Sequence, residues 1–460
     1  MRRARLLLCT AALLWSCGGA RDDRAGVAPD LLLVTVDTLR ADALACYGGE
    51  PDVGSVLCSV ADRGVRYEWA LSTAPSTAPS IASVLTSLYP SQHGVTQFAV
   101  SWLDEGVVSV AEVLSEAGYA TGAIVSNPVL DESRQIGQGF ESYDVRMTQS
   151  ERNRPDLGER EAEATTDAAL AWLKENRPWL FGTRRPLFLW VHYQDPHGPY
   201  TPPGFETSPD TGATALPILE DHSGKAGLPA YQVVEGVRSL EAYAGRYREE
   251  IRYLDRHVAR LLAALPDAGV LVTADHGEAF GEDGYYLAHG HSVGLELIRV
   301  PLLWRPPGGA APSVVRIPVS GVDVAPTLLA AAGLTAPAPF RGRALPGPGH
   351  ETTADRLLYA EHRARAAVVA GDLYYARDHE DLTEAPPDRV SGGRLEALPP
   401  RTARLRGPAL PPYEATGPAA SASLEGALRS HVESAGARPN QTGTTDQLTR
   451  DRLRALGYLE

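Results

Sequence analysis

Cysteine is scarce in this 460-residue chain, positive charge is in deficit, and no hydrophobic run is long enough to span a membrane. Of four cysteines, Cys9 and Cys17 lie at the extreme N-terminus, which leaves Cys46 and Cys58. Two cysteines are too few for a disulfide-built scaffold. An oxidising compartment permits a bridge between them, and they serve equally well as a small core residue and a surface thiol. Lys and Arg number 43 against 57 acids, a net charge of −14. Residues 1–16 carry three arginines and no acid, so without them the charge is −17. Such a body repels nucleic-acid phosphates, and no basic stripe offsets it, which excludes a nucleic-acid partner. Apart from Ser-Thr-Ala-Pro in tandem at 72–75 and 76–79 there is no internal repeat.

The composition that remains, 43 % hydrophobic and 22 % charged, is that of an ordinary globular protein. The first residues stand apart. Arg2, Arg3 and Arg5 precede an apolar core, Leu6 to Trp15, of signal-peptide length. Leu14-Trp15-Ser16-Cys17 is similar to the lipobox of bacterial lipoproteins, although Trp15 is bulkier than usual there. The expectation is a signal over 1–16, lipidation of Cys17 and a polar tether over 17–29; a plain cleaved signal is the alternative. Either way the protein is exported, and its membrane contact runs only through the lipid. Gly18 after the cysteine fits outer-membrane retention.

Asp30-Leu-Leu-Leu-Val-Thr-Val-Asp37 and Gly269-Val-Leu-Val-Thr-Ala-Asp275 are apolar runs of strand length, each ending in a carboxylate. Such runs suit strands buried on both faces of a parallel sheet. Further strands are expected at 65–69, 119–125, 186–192 and 300–304, and helices at 53–63, 107–117, 158–176, 231–265 and 322–332. The alternation predicts an α/β fold, mostly parallel, with helices on both faces, over residues 30–349. Beyond residue 350 the pattern changes to a smaller antiparallel subdomain, 350–460, with strands at 357–360 and 367–376. Residues 384–445, rich in Pro, Ala, Gly and Ser, read as loop or disorder, and 447–458 as a short helix.

The chain is organised around Leu71 to Gly94. Pro79 suits the first turn of a helix that Ile81 to Leu88 continue. Thr77 then sits at the helix N-terminus, where free N–H groups and the dipole stabilise an oxyanion or a partly ionised hydroxyl. Ser76 or Thr77 as a plain N-cap is the simpler alternative. Asp37 and Asp275, with His276-Gly277 following directly, put two carboxylates and an imidazole at the carboxyl edge of a sheet. That set suits one divalent cation: Ca²⁺, Mn²⁺, Mg²⁺ or Zn²⁺. Gly290-His-Ser-Val-Gly294 matches a nucleophile elbow, but it lacks the flanking strand and long helix that the elbow requires.

Val36-Asp-Thr-Leu-Arg-Ala-Asp42, the Thr77 stretch and Thr273-Ala-Asp-His-Gly-Glu278 fall in the order found in the sulfatase family, within the alkaline phosphatase superfamily. Ala117-Gly-Tyr-Ala-Thr121, Asp195-Pro-His197, Arg299-Val-Pro-Leu302 and Val322-Asp-Val-Ala-Pro-Thr327 add smaller matches, and Leu453 to Tyr458 looks like the end of many such chains. The resemblance spans about residues 30–345. It implies an ester hydrolase with Asp37, Asp275 and His276 as metal ligands. Counting back from Leu85-Thr86 puts Thr77 in the nucleophile position.

The departures from the family pattern are consistent with one another. A threonine cannot become formylglycine, so none is expected. Ile81 stands where the motif has Arg, Ser87 where it has Gly, and Thr38 where a second Asp is usual. Val125-Ser-Asn-Pro128 replaces a basic segment. Threonine in that position resembles the superfamily's phosphodiesterases, phosphatases and phospho-alcohol transferases. The implied chemistry is attack by Thr77 on a small-molecule, glycan-linked or lipid-linked anionic ester, favouring phosphate mono- or diesters over sulfates, through a covalent threonyl ester. His197 resembles the family's substrate-contacting histidine. His289 lies near the family's lysine and serves as proton donor to the leaving group, with His291 as the alternative; all three count as substrate-binding. His93 is as readily structural, and His192 reads as a satisfied core histidine. A phosphoethanolamine- or phosphoglycerol-type transferase and a catalytically silent binding lipoprotein are the rival readings.

Overall fold

A computed structural model describes residues 28–96, 101–177, 184–205, 210, 214–349, 356–362, 365–378, 401–414 and 418–434. Residues 1–16, Cys17 and the segment 447–458 lie outside them. The main body is a nine-stranded sheet. Its strands are β1 (Leu31–Val36), β2 (Val65–Leu71), β3 (Ala120–Val125), β4 (Ser142–Asp144), β5 (Leu187–Tyr193), β6 (Gly269–Ala274), β7 (Arg299–Arg305), β8 (Ser313–Val315) and β9 (Val319–Ser320). The order is β8-β2-β7-β6-β1-β5-β3-β4, with β9 also on β2. β1 lies at the centre, parallel to β5 and β6, and every residue of β1 and β6 is buried. Continuous apolar runs become central parallel strands because helices cover both faces of the sheet. β7 runs antiparallel to both β6 and β2, so the sheet is mixed, though mostly parallel.

The principal helices are α1 (Thr77–Thr86), α2 (Val110–Glu116), α3 (Ala162–Asn176), α4 (Leu240–Ala264) and α5 (Val324–Ala331). α1 is buried along its whole length. α2 begins later than expected because Ser109 takes the N-cap and Glu112 closes a capping box onto it, at 3.1 and 2.7 Å. The helix expected from residue 231 starts at Leu240. Gly236 turns the chain at φ 77°, and Ser239 caps the new start through Ala242 N–H. The segment 53–63 forms a short helix, Ser55–Ser59, and then a 3-10 turn. Cys46 and Cys58 form a disulfide.

The C-terminal part is a separate four-stranded antiparallel sheet: β10 (Leu357–His362), β11 (Arg365–Ala370), β12 (Leu373–Asp378) and β13 (Arg401–Arg404). The single strand expected at 367–376 is two strands, since Gly371 turns the chain at φ 58°. Within the described part of 384–445, residues 401–404 and 418–434 form regular elements in place of the expected loop or disorder. These are β13 and a helix, α6 (Pro418–Ser434). Leu424 and Leu428 seat α6 on Ala366, Val368 and Tyr375. Among the described residues, no helix is long and apolar enough to cross a membrane.

Candidate active site

Val36 and Ala274 pair in register at the ends of β1 and β6. The carboxylates of the next residues, Asp37 and Asp275, therefore emerge side by side at the carboxyl edge, where open α/β sheets gather their ligands. With His276 they offer three buried ligand atoms within 4.8 Å of one another. His276 Nε2 lies 3.7 Å from Asp37 Oδ1 and 3.5 Å from Asp275 Oδ2. Both of those oxygens are buried and accept no hydrogen bond. Converging buried carboxylate oxygens cost several kcal/mol unless something positive joins them, so the donor set fits a divalent cation.

The remaining polar atoms of the cluster are fixed. His276 Nδ1–H donates to Gly277 O at 2.8 Å, which directs the Nε2 lone pair into the cluster. Burial pushes that imidazole down to about 3, with the charge of His289 adding to it, so it is neutral as a ligand must be. Asp275 Oδ1 accepts from His276 N at 2.7 Å and from Thr38 N at 3.2 Å. Asn127 Nδ2 donates to Asp37 Oδ2, and His192 Nε2 approaches the same oxygen at 3.8 Å. Burial raises the Asp37 carboxyl, yet the neighbouring His192, His197 and His276 imidazoles hold it below the usual carboxylate range. Burial and the Asp37 charge together push Asp275 well up. The two shifts run in opposite directions, so without a cation Asp275 is the carboxyl that takes up a proton first.

Thr77 is the first residue of α1, and the Ser76 hydroxyl makes no cap bond. Its Oγ1 stands 3.3 Å from His276 Nε2, so the nucleophile candidate faces the carboxylate pair. Ser72 and Ser80 hydroxyls both bond to the Asp275 carbonyl, Ser80 at 2.6 Å. They tie the start of α1 to the end of β6. Ile81 is core, and Ser87 ends the helix at φ 56°, a left-handed position that glycine fills most readily. Gly277 is required by space: a Cβ there would lie 2.2 Å from Glu296 O.

Three imidazoles from separate segments meet beside Thr77. The His289 ring is 4.5 Å from that of His276 and 5.4 Å from that of His197. His289 Nδ1 bonds Glu278 Oε1 at 3.1 Å, and Tyr200 O–H donates to the other Glu278 oxygen at 3.2 Å. Burial works against the imidazolium, but the Glu278 charge and bond raise His289 above its ordinary pKa. His197 Nδ1 pairs with Gly198 O at 2.8 Å, and burial pushes its imidazole down. His291 stacks on Tyr285 instead, 3.7 Å between centroids. His93 is bound by Ser83 Oγ and Val95 N. Around Ser292 only a three-residue strand precedes and a four-residue helix follows, so no nucleophile elbow forms.

The sulfatase family model matches residues 29–334. The chain belongs to the sulfatase family. Among similar proteins, an arylsulfatase of Clostridium perfringens is 25% identical over 378 residues, 69% of this chain and 77% of that one. A choline-sulfatase of Rhizobium meliloti is 32% identical over 170 residues, a third of each chain. Among solved structures, a phosphonate monoester hydrolase from Silicibacter pomeroyi superposes with a TM-score of 0.65 at 19% identity, covering 91% of this chain and 97% of that one. A protein of the alkaline phosphatase superfamily from Vibrio parahaemolyticus gives 0.59 at 15% identity, covering 91% and 90%. This sulfatase therefore has the alkaline-phosphatase-like fold and is an ester hydrolase.

Local sequence patterns do not reach several residues at the centre of this sulfatase. His192 is no satisfied core histidine: Nδ1 bonds Thr35 Oγ1 at 2.8 Å, while the buried Nε2 has no hydrogen-bond partner and faces Asp37. The roles of Asn127, Glu278, Ser72 and Ser80 also escape, although each lies in a stretch named above. For His192 and Asn127 a signal exists in the strand order. β5 and β3, on the far side of β1 from β6, carry His192 and Asn127 at the same edge where β1 and β6 release their carboxylates.

Proposed function

We propose that this sulfatase hydrolyses phosphate mono- or diesters with Thr77 as nucleophile and Asp37, Asp275 and His276 as the ligands of one divalent cation. The observation that carries this reading is the Thr77 hydroxyl 3.3 Å from His276 Nε2, beside two buried carboxylate oxygens that accept no hydrogen bond. A cation held there supplies Lewis acidity, favouring the Thr77 alkoxide and screening charge on the ester oxygens. Thr77 loses its proton to water and attacks phosphorus. The bond to the leaving oxygen breaks, and that oxygen takes a proton from the His289 imidazolium. Neutral His289 then takes a proton from water. The resulting hydroxide splits the threonyl ester, releasing phosphate from a monoester or a phosphate monoester from a diester, and the Thr77 oxygen takes its proton back from water. Free N–H groups of the first turn of α1 stabilise charge on the equatorial oxygens. His197 contacts the substrate, with His291 on the flank. A threonine cannot form formylglycine, which supports phosphorus over sulfur as the centre attacked.

Export by residues 1–16 and lipidation of Cys17 place the enzyme on the cell envelope in this reading. Metabolic labelling with a radioactive fatty acid, lost in Cys17→Ala, tests that address. The activity is tested on signal-free protein with an aryl phosphate, a bis-aryl phosphate and an aryl sulfate, each with Ca²⁺, Mn²⁺, Mg²⁺ or Zn²⁺. The expected result is metal-dependent phosphoester cleavage that Thr77→Ala reduces by about a thousandfold or more. Cleavage of the sulfate alone, or activity that survives Thr77→Ala, overturns the assignment.

A further inference from the structure

The first hairpin of the C-terminal sheet reaches the active site. His362 ends β10 and Arg365 begins β11, directly opposed in register. Opposed residues of an antiparallel pair project from one face, so imidazole and guanidinium leave the sheet together, and both residues are buried. Glu361 N–H donates to Thr73 O at 2.8 Å. The Glu361 carboxylate accepts from Ser91 N at 2.9 Å and Ser91 Oγ at 3.0 Å. The strand is thereby clamped both to the loop that leads into Thr77 and to the short helix Pro90–His93 that follows α1.

Gly290 marks where that face lands. A methyl group on Gly290 would stand 3.8 Å from His362 Nε2 and 3.9 Å from Pro75 O. The His362 ring is therefore close to both the 289–291 loop and the residue two positions before Thr77. The neighbour of Gly290, His291, lies flat on Tyr285 with both ring nitrogens buried and without a hydrogen-bond partner. Buried ring nitrogens in that state cost stability and are uncommon in the absence of a ligand. Burial and the charge of Arg365 keep the His291 ring neutral.

We propose that His362, Arg365 and His291 form the wall of the active site that receives the alcohol portion of the ester, and that this wall selects alcohols carrying a second negative charge. The proposal rests on the ester-hydrolase reading. It makes the C-terminal sheet part of substrate recognition, with Arg365 supplying the charge and the two imidazoles supplying hydrogen bonds.

The test compares methyl phenyl phosphate with methyl 3-carboxyphenyl phosphate on the metal-loaded, signal-free protein. The expected result is a preference of about tenfold in kcat/KM for the carboxylated ester, carried by KM. Arg365→Gln and His362→Ala should reduce it to about twofold or less, and His362→Gln should keep an intermediate preference. No preference in the unmodified protein overturns the proposal. So does a preference unchanged in the variants, or an equal loss on both esters carried by kcat. Calorimetric binding of the same two esters to Thr77→Ala protein gives a readout independent of turnover. If neither ester is hydrolysed, the ester-hydrolase reading fails, while unequal binding that Arg365→Gln abolishes still upholds the wall. Melting curves identify any variant that fails to fold, and the other substitution then decides.

Discussion

Asp275→Asn separates the cost of the carboxylate pair from its use. Asparagine keeps an Oδ1 acceptor for His276 N and Thr38 N. It also puts a neutral amide where Asp275 Oδ2 now lies buried without a hydrogen bond. Ligand atoms of the two carboxylates lie within 4.8 Å. At an effective dielectric of ~20, like charges at that distance repel by about 3.5 kcal/mol. The unmodified protein escapes part of this by holding a proton on Asp275, so the metal-free variant should be more stable by about 1–3 kcal/mol, or a few degrees in melting temperature for a chain of this size. The sign with pH follows. The folded-state pKa of Asp275 is raised, so the folded protein binds more protons than the unfolded chain. Its stability then falls as pH rises above about 4, and the advantage of the variant widens over the same window. The assay is thermal unfolding in chelator at several pH values, repeated with excess Ca²⁺ or Mn²⁺. At a hundred times Kd the cation should stabilise the unmodified protein by about 2.7 kcal/mol and leave the variant nearly unmoved, reversing their order. A metal-free variant that melts at or below the unmodified protein would refute the reasoning, as would equal stabilisation of both by the cation.

Three further outcomes are expected. Glu278→Gln removes the charge that raises His289, so the alkaline limb of the kcat–pH profile should move to lower pH, and an unmoved limb would remove His289 as the acid. Gly277→Ala drives a methyl into Glu296 O; it should destabilise the protein by about 2 kcal/mol or more and weaken metal affinity measured by titration. Thr38 holds φ 52°, a strained conformation for a β-branched residue. Thr38→Gly should raise the melting temperature while lowering kcat, because the N–H that pins Asp275 becomes mobile.

Much of the fold is legible because β1 and β6 are continuous apolar runs that end in aspartate, a pattern that belongs to central parallel strands. The Thr77 helix is legible for a similar reason, a proline and small hydroxyl residues ahead of an apolar run. What escapes depends on register or on single glycines. His192 and Asn127 act on Asp37 only because β5 and β3 stack in order beside β1, which no local pattern encodes. Gly371 divides one apolar run into two strands, and Gly236 delays α4. The Pro- and Ala-rich tail looks too polar to fold. Two leucines, Leu424 and Leu428, suffice to seat α6 because the sheet already offers them a buried face.

Charge balance in the site bears on which ester it takes. Asp37 and Asp275 bring two negative charges, and one divalent cation cancels them. Protonated His289 is cancelled by Glu278 at 3.1 Å, and the nearby Arg154 is matched by Glu151 at 2.7 Å. Position 81, where the family motif has arginine, is filled by a core isoleucine, so no compensating charge enters from α1. Around the phosphoryl group itself, away from the Arg365 wall, a site so close to neutral attracts a singly charged phosphoryl group without strongly favouring a doubly charged one, because a second charge there is unpaired. Phosphate diesters are singly charged and phosphate monoesters doubly charged near neutral pH. The diester should therefore lead the phosphate panel in kcat/KM, and a monoester that leads it would mean that a cation, Arg365 or one from another segment, reaches the phosphoryl oxygens.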